Sequence, residues 1–156
     1  MMSYVFVKWL HVVSSTVLFG TGVGSAFYLL FASLRAEPRT VATVASLVVW
    51  ADTVFTATTA ILQPLTGLWL AGQAGWPLGQ GWLKWSLVLY ALAMACWLPV
   101  VALQIRMRNT ARAAVQAGTP LPPAYWRDLR IWTALGVPAF FAFLALFYLM
   151  VAKPAW

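Results

Sequence analysis

Charge along the chain is confined to a few short stretches, and what lies between them is long and apolar. No Asp, Glu, Lys or Arg occurs in residues 9–34, 53–83, 85–105 or 131–152. A bilayer-crossing helix needs about 20 predominantly apolar residues, so the pattern predicts spans over 4–32, 44–71, 82–105 and 131–152. The runs lack the alternating polar positions of barrel strands, and in a bilayer only helices and closed barrels satisfy their own backbone. The expected fold is all-α: an integral membrane four-helix bundle, residues 1–156 forming a single transmembrane domain. The first span is not expected to be a removable signal peptide, because its apolar stretch is too long and no small-x-small site closes it convincingly. No repeat or linker divides the chain.

Composition excludes a soluble reading. Hydrophobic residues make up 63% of the chain and charged residues 8%, as ten Lys/Arg against three Asp/Glu. Soluble domains are roughly a quarter charged. Thirteen charges cannot solvate a chain of 156 residues. The net charge of +7 is then not a nucleic-acid signal, and no nucleic-acid partner is expected. Lipid is.

The basic residues instead give an orientation. Arg35 and Arg39 follow the first span, and Arg106, Arg108, Arg112, Arg127 and Arg130 follow the third; only Lys8, Lys84 and Lys153 fall at the opposite span ends. The positive-inside rule puts the arginines in the cytoplasm and both termini on the non-cytoplasmic side, as for a multi-pass protein of the inner (cytoplasmic) cell membrane. The segment from Arg106 to Arg130, broken by Pro120, Pro122 and Pro123, reads as topology and contact with anionic headgroups. Trp9, Trp69, Trp76, Trp82, Trp85 and Trp156 near the outer ends, and Trp126 and Trp132 near the inner end, read as interfacial belts.

Polar groups inside the spans are the functional candidates, because each is costly there. At ~100° per residue, Lys8, His11, Ser14, Ser15, Leu18, Gly22 and Ser25 share one face of helix 1. His11 is the only histidine. It reads either as a donor to a neighbouring helix, or as a metal ligand to heme iron or a proton-transfer group. Lys84 opens helix 3 on the same side, either snorkelling to the headgroups or turned inward near His11. Asp52, Thr56, Thr59 and Gln63 form a stripe on helix 2, with Gln63 at the His11–Lys84 level. Asp52 is expected to pair with an arginine of the basic loops, the alternative being a proton path. Pro64 is expected to kink helix 2 and free a carbonyl.

Other motifs carry less. Gly20-Thr-Gly-Val-Gly24 sits inside an apolar helix and follows no strand, so it is no dinucleotide fingerprint; Gly20 and Gly24 are expected to mark close helix packing. One cysteine excludes an internal disulfide, and the absence of CxxCH excludes covalent c-type heme. Met94, Met107, Met150 and Cys96 are too scattered for a copper site.

Short motifs in order along the chain carry a resemblance. Lys8-Trp-Leu-His11, Thr59-Ala-Ile-Leu-Gln-Pro-Leu-Thr-Gly-Leu-Trp-Leu70, Gly81-Trp-Leu-Lys84, Tyr125-Trp-Arg-Asp-Leu-Arg-Ile-Trp-Thr-Ala-Leu-Gly-Val-Pro138 and Val151-Ala-Lys-Pro154 resemble segments of HemJ-type protoporphyrinogen oxidases. The chain is most similar to an uncharacterised family of predicted integral membrane proteins, distantly resembling the HemJ and copper-resistance D groups. The resemblance implies a b-type heme (heme b) ligated by His11, with Lys84 needed for activity; Gln63, at their level, joins them as a candidate cofactor-binding residue. It departs from the HemJ pattern in helix 1, where Thr16–Gly20 replaces a tryptophan and an arginine, and before Pro138, where Gly136-Val137 replaces an acidic residue. The implied function is an electron-transfer or oxidoreductase component with a partner redox protein. With one histidine per chain, bis-histidine ligation requires a homodimer. A small transporter or channel-like subunit built on the Asp52 stripe, or a membrane anchor for a partner enzyme, is the alternative.

Overall fold

Proline and glycine set the breaks between four helices in the computed structural model, which describes residues 2–155. Helix α1, Met2–Arg35, stops before Glu37-Pro38, where Pro38 holds Glu37 in extended backbone (φ −69°, ψ 155°). Helix α2, Pro38–Gln73, starts with that proline in its first turn, where a missing N–H costs nothing. Helix α3, Gly81–Ala117, ends on Gly118 in the left-handed region (φ 64°), with Thr119 N–H donating to the Ala114 carbonyl. Helix α4, Pro123–Ala152, again opens on proline.

All four helices are long and apolar enough to cross a membrane. At about 1.5 Å per residue they measure roughly 45–55 Å against an apolar slab of about 30 Å, so their ends project. Each encloses one expected span. The basic segment after residue 105 is not a loop at first: α3 continues through Arg106, Arg108 and Arg112 to Ala117. Large apolar side chains are exposed along every helix, among them Tyr28, Leu47, Ile61, Leu98 and Phe141. Water would not tolerate that surface; lipid does. The chain is an all-α integral membrane four-helix bundle.

Neighbouring helices run antiparallel around the bundle. The α3–α4 pair is the most extensive, and α1 follows α2 along its length. The first half of α2 packs on α3, whereas the second half stays with α1. Helices α1 and α4 meet sparingly. The interior is divided between the two ends. At the basic end a cluster including Leu29, Val41, Met107, Tyr125 and Leu129 is packed without solvent. At the end carrying the termini, Trp82, Leu83, Ala71 and Leu149 form a smaller cluster. There Lys153, in left-handed backbone (φ 41°), lays its ammonium 4.3 Å from the Trp76 ring centroid and 5.7 Å from that of Trp82.

Two tryptophans depart from the belt expectation. Trp9, Trp69, Trp85 and Trp126 are exposed as interfacial residues should be, but Trp82 and Trp132 are buried (4% and 6% exposed). Both face neighbouring helices instead of lipid. Trp156 lies outside the described residues.

Candidate functional site

Helix α2 carries its polar groups on one face, and that face meets α1. Asp52, Thr56, Thr59, Gln63 and Thr66 are all buried. The spacing that identified the first four continues to Thr66, which the sequence reading passed over. On α1, Ser14 and Leu18 are buried while His11, Ser15, Gly22 and Ser25 are half-buried. The two stripes therefore form one polar seam in an apolar bundle.

His11 is held at the terminal end of this seam. Its Nδ1 lies 2.7 Å from Thr66 Oγ1. The Thr66 hydroxyl also lies 2.7 Å from the Leu62 carbonyl, to which it can donate. Assigning that hydrogen to the Leu62 carbonyl makes the ring nitrogen the donor, with the imidazole proton on Nδ1 and the lone pair on Nε2. Gln63 fixes the backbone behind the ring: its Nε2 donates to the His11 carbonyl at 2.9 Å and to Ser14 Oγ at 2.5 Å. Gly67 makes the room. A Cβ there would stand 3.1 Å from His11 Cε1. Gly20 and Gly24, expected to mark close packing, have nothing within 4 Å of an added Cβ, and the close approach belongs to Gly67.

Pro64 frees a carbonyl as expected, and the structure supplies its partner. The ring of Pro64 removes the N–H that would bond the Ala60 carbonyl one turn earlier. Tyr90 of α3 donates its hydroxyl to that carbonyl instead. This bond also sets heights in the bundle. Lys84 lies six positions before Tyr90, and Thr66 six positions after Ala60, so in antiparallel helices Lys84 and His11 stand at one level. The side chain of Lys84 is exposed, and no hydrogen bond joins it to His11.

Asp52 differs from expectation. The described residues show no arginine at its carboxylate; Thr56 donates to Oδ1 at 2.9 Å, and Ser25 and Gln104 face the same group. Two arginines pair instead with Asp128, itself buried: Arg106 at 3.0 Å and Arg127 at 3.5 Å. Geometry explains the exchange. Asp128 on α4 stands beside Arg106 of α3, while Asp52 faces the interior cavity. Residues Asp52–Thr56 form a π-helical turn, so that the Ala57 N–H reaches back to the Asp52 carbonyl. Such turns frequently sit at functional sites.

Beside Asp52 the interior is open. A cavity of about 490 Å³ adjoins the basic-end cluster at Val100 and Trp132, walled by α1, α3 and α4 and reaching Asp52 and Thr56 of α2. Its rim is made of exposed apolar residues of α1 and α4, including Phe27, Val137 and Phe141. Helices α1 and α4 touch on either side of this opening. Towards the termini, Phe19 packs on Phe140 and Phe147 at 5.7 and 5.2 Å. Towards the basic end, Tyr125 and Ser33 are hydrogen-bonded at 2.6 Å. His11 is not part of the cavity wall. Among the described residues no group of three or more His, Cys, Asp or Glu could hold a metal ion.

The model of one family, described as "Predicted integral membrane protein (DUF2269)", matches residues 5–154. No curated protein and no solved structure matches the chain.

Proposed function

The chain belongs to the DUF2269 family of predicted integral membrane proteins, and from that premise we propose that it is a b-type heme protein of the cytoplasmic membrane, serving electron transfer or an oxidoreductase reaction. The observation that carries the reading is the bond between His11 Nδ1 and Thr66 Oγ1 at 2.7 Å. Metal-ligating histidines donate their second ring N–H to a neighbouring group, which fixes the tautomer and aims the other nitrogen. Thr66 Oγ1 is that neighbouring group in our reading, and among the described residues Nε2 has no hydrogen-bond partner. The donor type suits a heme iron, and His11 would hold it outside the cavity, whose wall it does not join.

Heme bound there supplies a one-electron carrier. The protein's own residues do the placing. Thr66 orients the imidazole, Gln63 holds the α1 backbone that carries it, and the exposed ammonium of Lys84 stands at the level of His11 to meet a propionate. A single histidine per chain leaves bis-histidine ligation to a homodimer in which each copy contributes His11. A partner redox protein would dock from the membrane or its surface. The arginine-rich end lies in the cytoplasm and both termini outside, following the positive-inside rule.

The optical spectrum of the purified protein tests the reading. Heme as isolated, or after reconstitution, gives a Soret band that His11→Ala removes or shifts. A protein that stays colourless after reconstitution, or a band indifferent to His11→Ala, overturns it.

A further inference from the structure

We infer that the groove between the basic ends of α2 and α3 binds the phosphate of an anionic membrane lipid, held between Arg39 and Arg112. The groove lies at the opposite end of the bundle from His11, and the inference does not rest on heme.

Seven arginines crowd this end, and five are engaged away from the groove. Arg106 and Arg127 pair with Asp128. Arg35 lies 5.3 Å from the Phe31 ring centroid, Arg108 donates to Asn109, and Arg130 donates to the Trp126 carbonyl. Arg39 and Arg112 remain. Both line a groove of about 430 Å³. Among the described residues neither pairs with a carboxylate, and no Asp or Glu lines the groove.

The polar groups there leave an excess of donors. Thr43 donates its hydroxyl to the Arg39 carbonyl at 3.0 Å, and Ser46 to the Ala42 carbonyl at 2.6 Å. The Ser46 oxygen accepts from Arg112 Nη2 at 2.9 Å, which draws that guanidinium across from α3 to α2. A guanidinium donates and never accepts. Among the described residues this is the one bond that either of the two side chains makes. A fitting ligand must bring acceptors and negative charge. A phosphate brings both, and its oxygens match guanidinium N–H groups in pairs.

Position selects a lipid over free phosphate. Leu47 lines the groove about 12 Å nearer the bilayer centre than Arg39, at ~1.5 Å per residue. Trp50 continues that face one turn further, and both are exposed. Acyl chains would lie along these two residues with the head group between the arginines. Basic pockets between transmembrane helices bind acidic lipid head groups in this way. A choline head group would bring its own cation to the arginines.

Native mass spectrometry of the full chain in tetraethylene glycol monooctyl ether micelles, titrated with dioleoyl phosphatidylglycerol, tests this. One lipid per chain is expected to bind saturably, with dioleoyl phosphatidylcholine at least about tenfold weaker. Arg39→Gln with Arg112→Gln is expected to weaken phosphatidylglycerol binding about tenfold or more. Arg108→Gln with Arg130→Gln removes the same charge and should change it less than about twofold. Ser46→Ala keeps every charge but releases Arg112, and is expected to weaken binding about threefold. Excess inorganic phosphate should not displace the lipid. If the arginine variants fail to fold, Ser46→Ala decides alone, an unchanged dissociation constant overturning the site. Equal weakening by the two arginine pairs, or equal binding of the two lipids, also overturns it. Displacement by inorganic phosphate would make the ligand a soluble phosphate and overturn the assignment to lipid.

Discussion

Tyr90 stands in for the helical hydrogen bond that Pro64 abolishes, its hydroxyl donating to the Ala60 carbonyl across the α2–α3 interface. In lipid there is no water to accept that role. The two residues should therefore be coupled. Tyr90→Phe is expected to destabilise by about 1–2 kcal/mol, within the range for interhelical bonds in membranes. Combined with Pro64→Ala, which restores the helical N–H, the same change should cost about half as much or less. Unfolding in mixed micelles followed by circular dichroism measures both; equal costs in the two backgrounds would show that the tyrosine supports something else.

Gly67 and His11 make a steric prediction. An imidazole tethered by Thr66 cannot yield to a Cβ at 3.1 Å, so Gly67→Ala is expected to cost about 1–3 kcal/mol despite its better helix propensity. Gly20→Ala and Gly24→Ala meet no neighbour and should be neutral, or stabilising by up to about 1 kcal/mol. The ranking of the three variants in the same unfolding assay is the check.

Thr66→Val keeps shape and removes the hydroxyl. With heme on His11, losing the group that orients a ligating imidazole is expected to weaken heme affinity about 10–100-fold. Circular dichroism should stay at the wild-type value. Titration of the apoprotein with hemin gives the affinity, and an unchanged dissociation constant would mean that Thr66 only ties α1 to α2.

The orientation follows from placing single cysteines at the two ends. Cys96 is buried and is the only cysteine, so Cys96→Ala gives a clean background. Gln73→Cys and Thr119→Cys lie at opposite ends of the bundle, both exposed. A membrane-impermeant maleimide added to intact spheroplasts should label position 73 and not position 119, and the reverse in inverted vesicles. The opposite pattern would place the arginines outside.

Elements were legible where charge or polarity marked them. Thirteen charges bounded four spans, and the stripe from Asp52 to Gln63 lies buried on one face as its spacing implied. What an apolar residue touches was not legible, because lipid and protein interior present the same chemistry to it. Trp82 and Trp132 could not be told from belt tryptophans for that reason. Trp132 lines a cavity that no sequence pattern announces, and only its N–H, unpaired among the described residues, distinguishes it. Asp52 and Asp128 were also indistinguishable by type; which one meets an arginine depends on what stands beside it, and α3 ran three turns further than the charges suggested. Thr66 was the one residue within reach, as the next step of a visible stripe.

The opening between α1 and α4 changes what concentration means for any apolar solute that enters this cavity. Phe27 and Phe141 face the bilayer at its rim, with the two helices joined only above and below. Occupancy then follows mole fraction in the lipid phase, not molarity in water. Adding empty vesicles would draw such a solute out without changing the protein at all, and apparent affinities measured at two lipid-to-protein ratios would differ by that ratio.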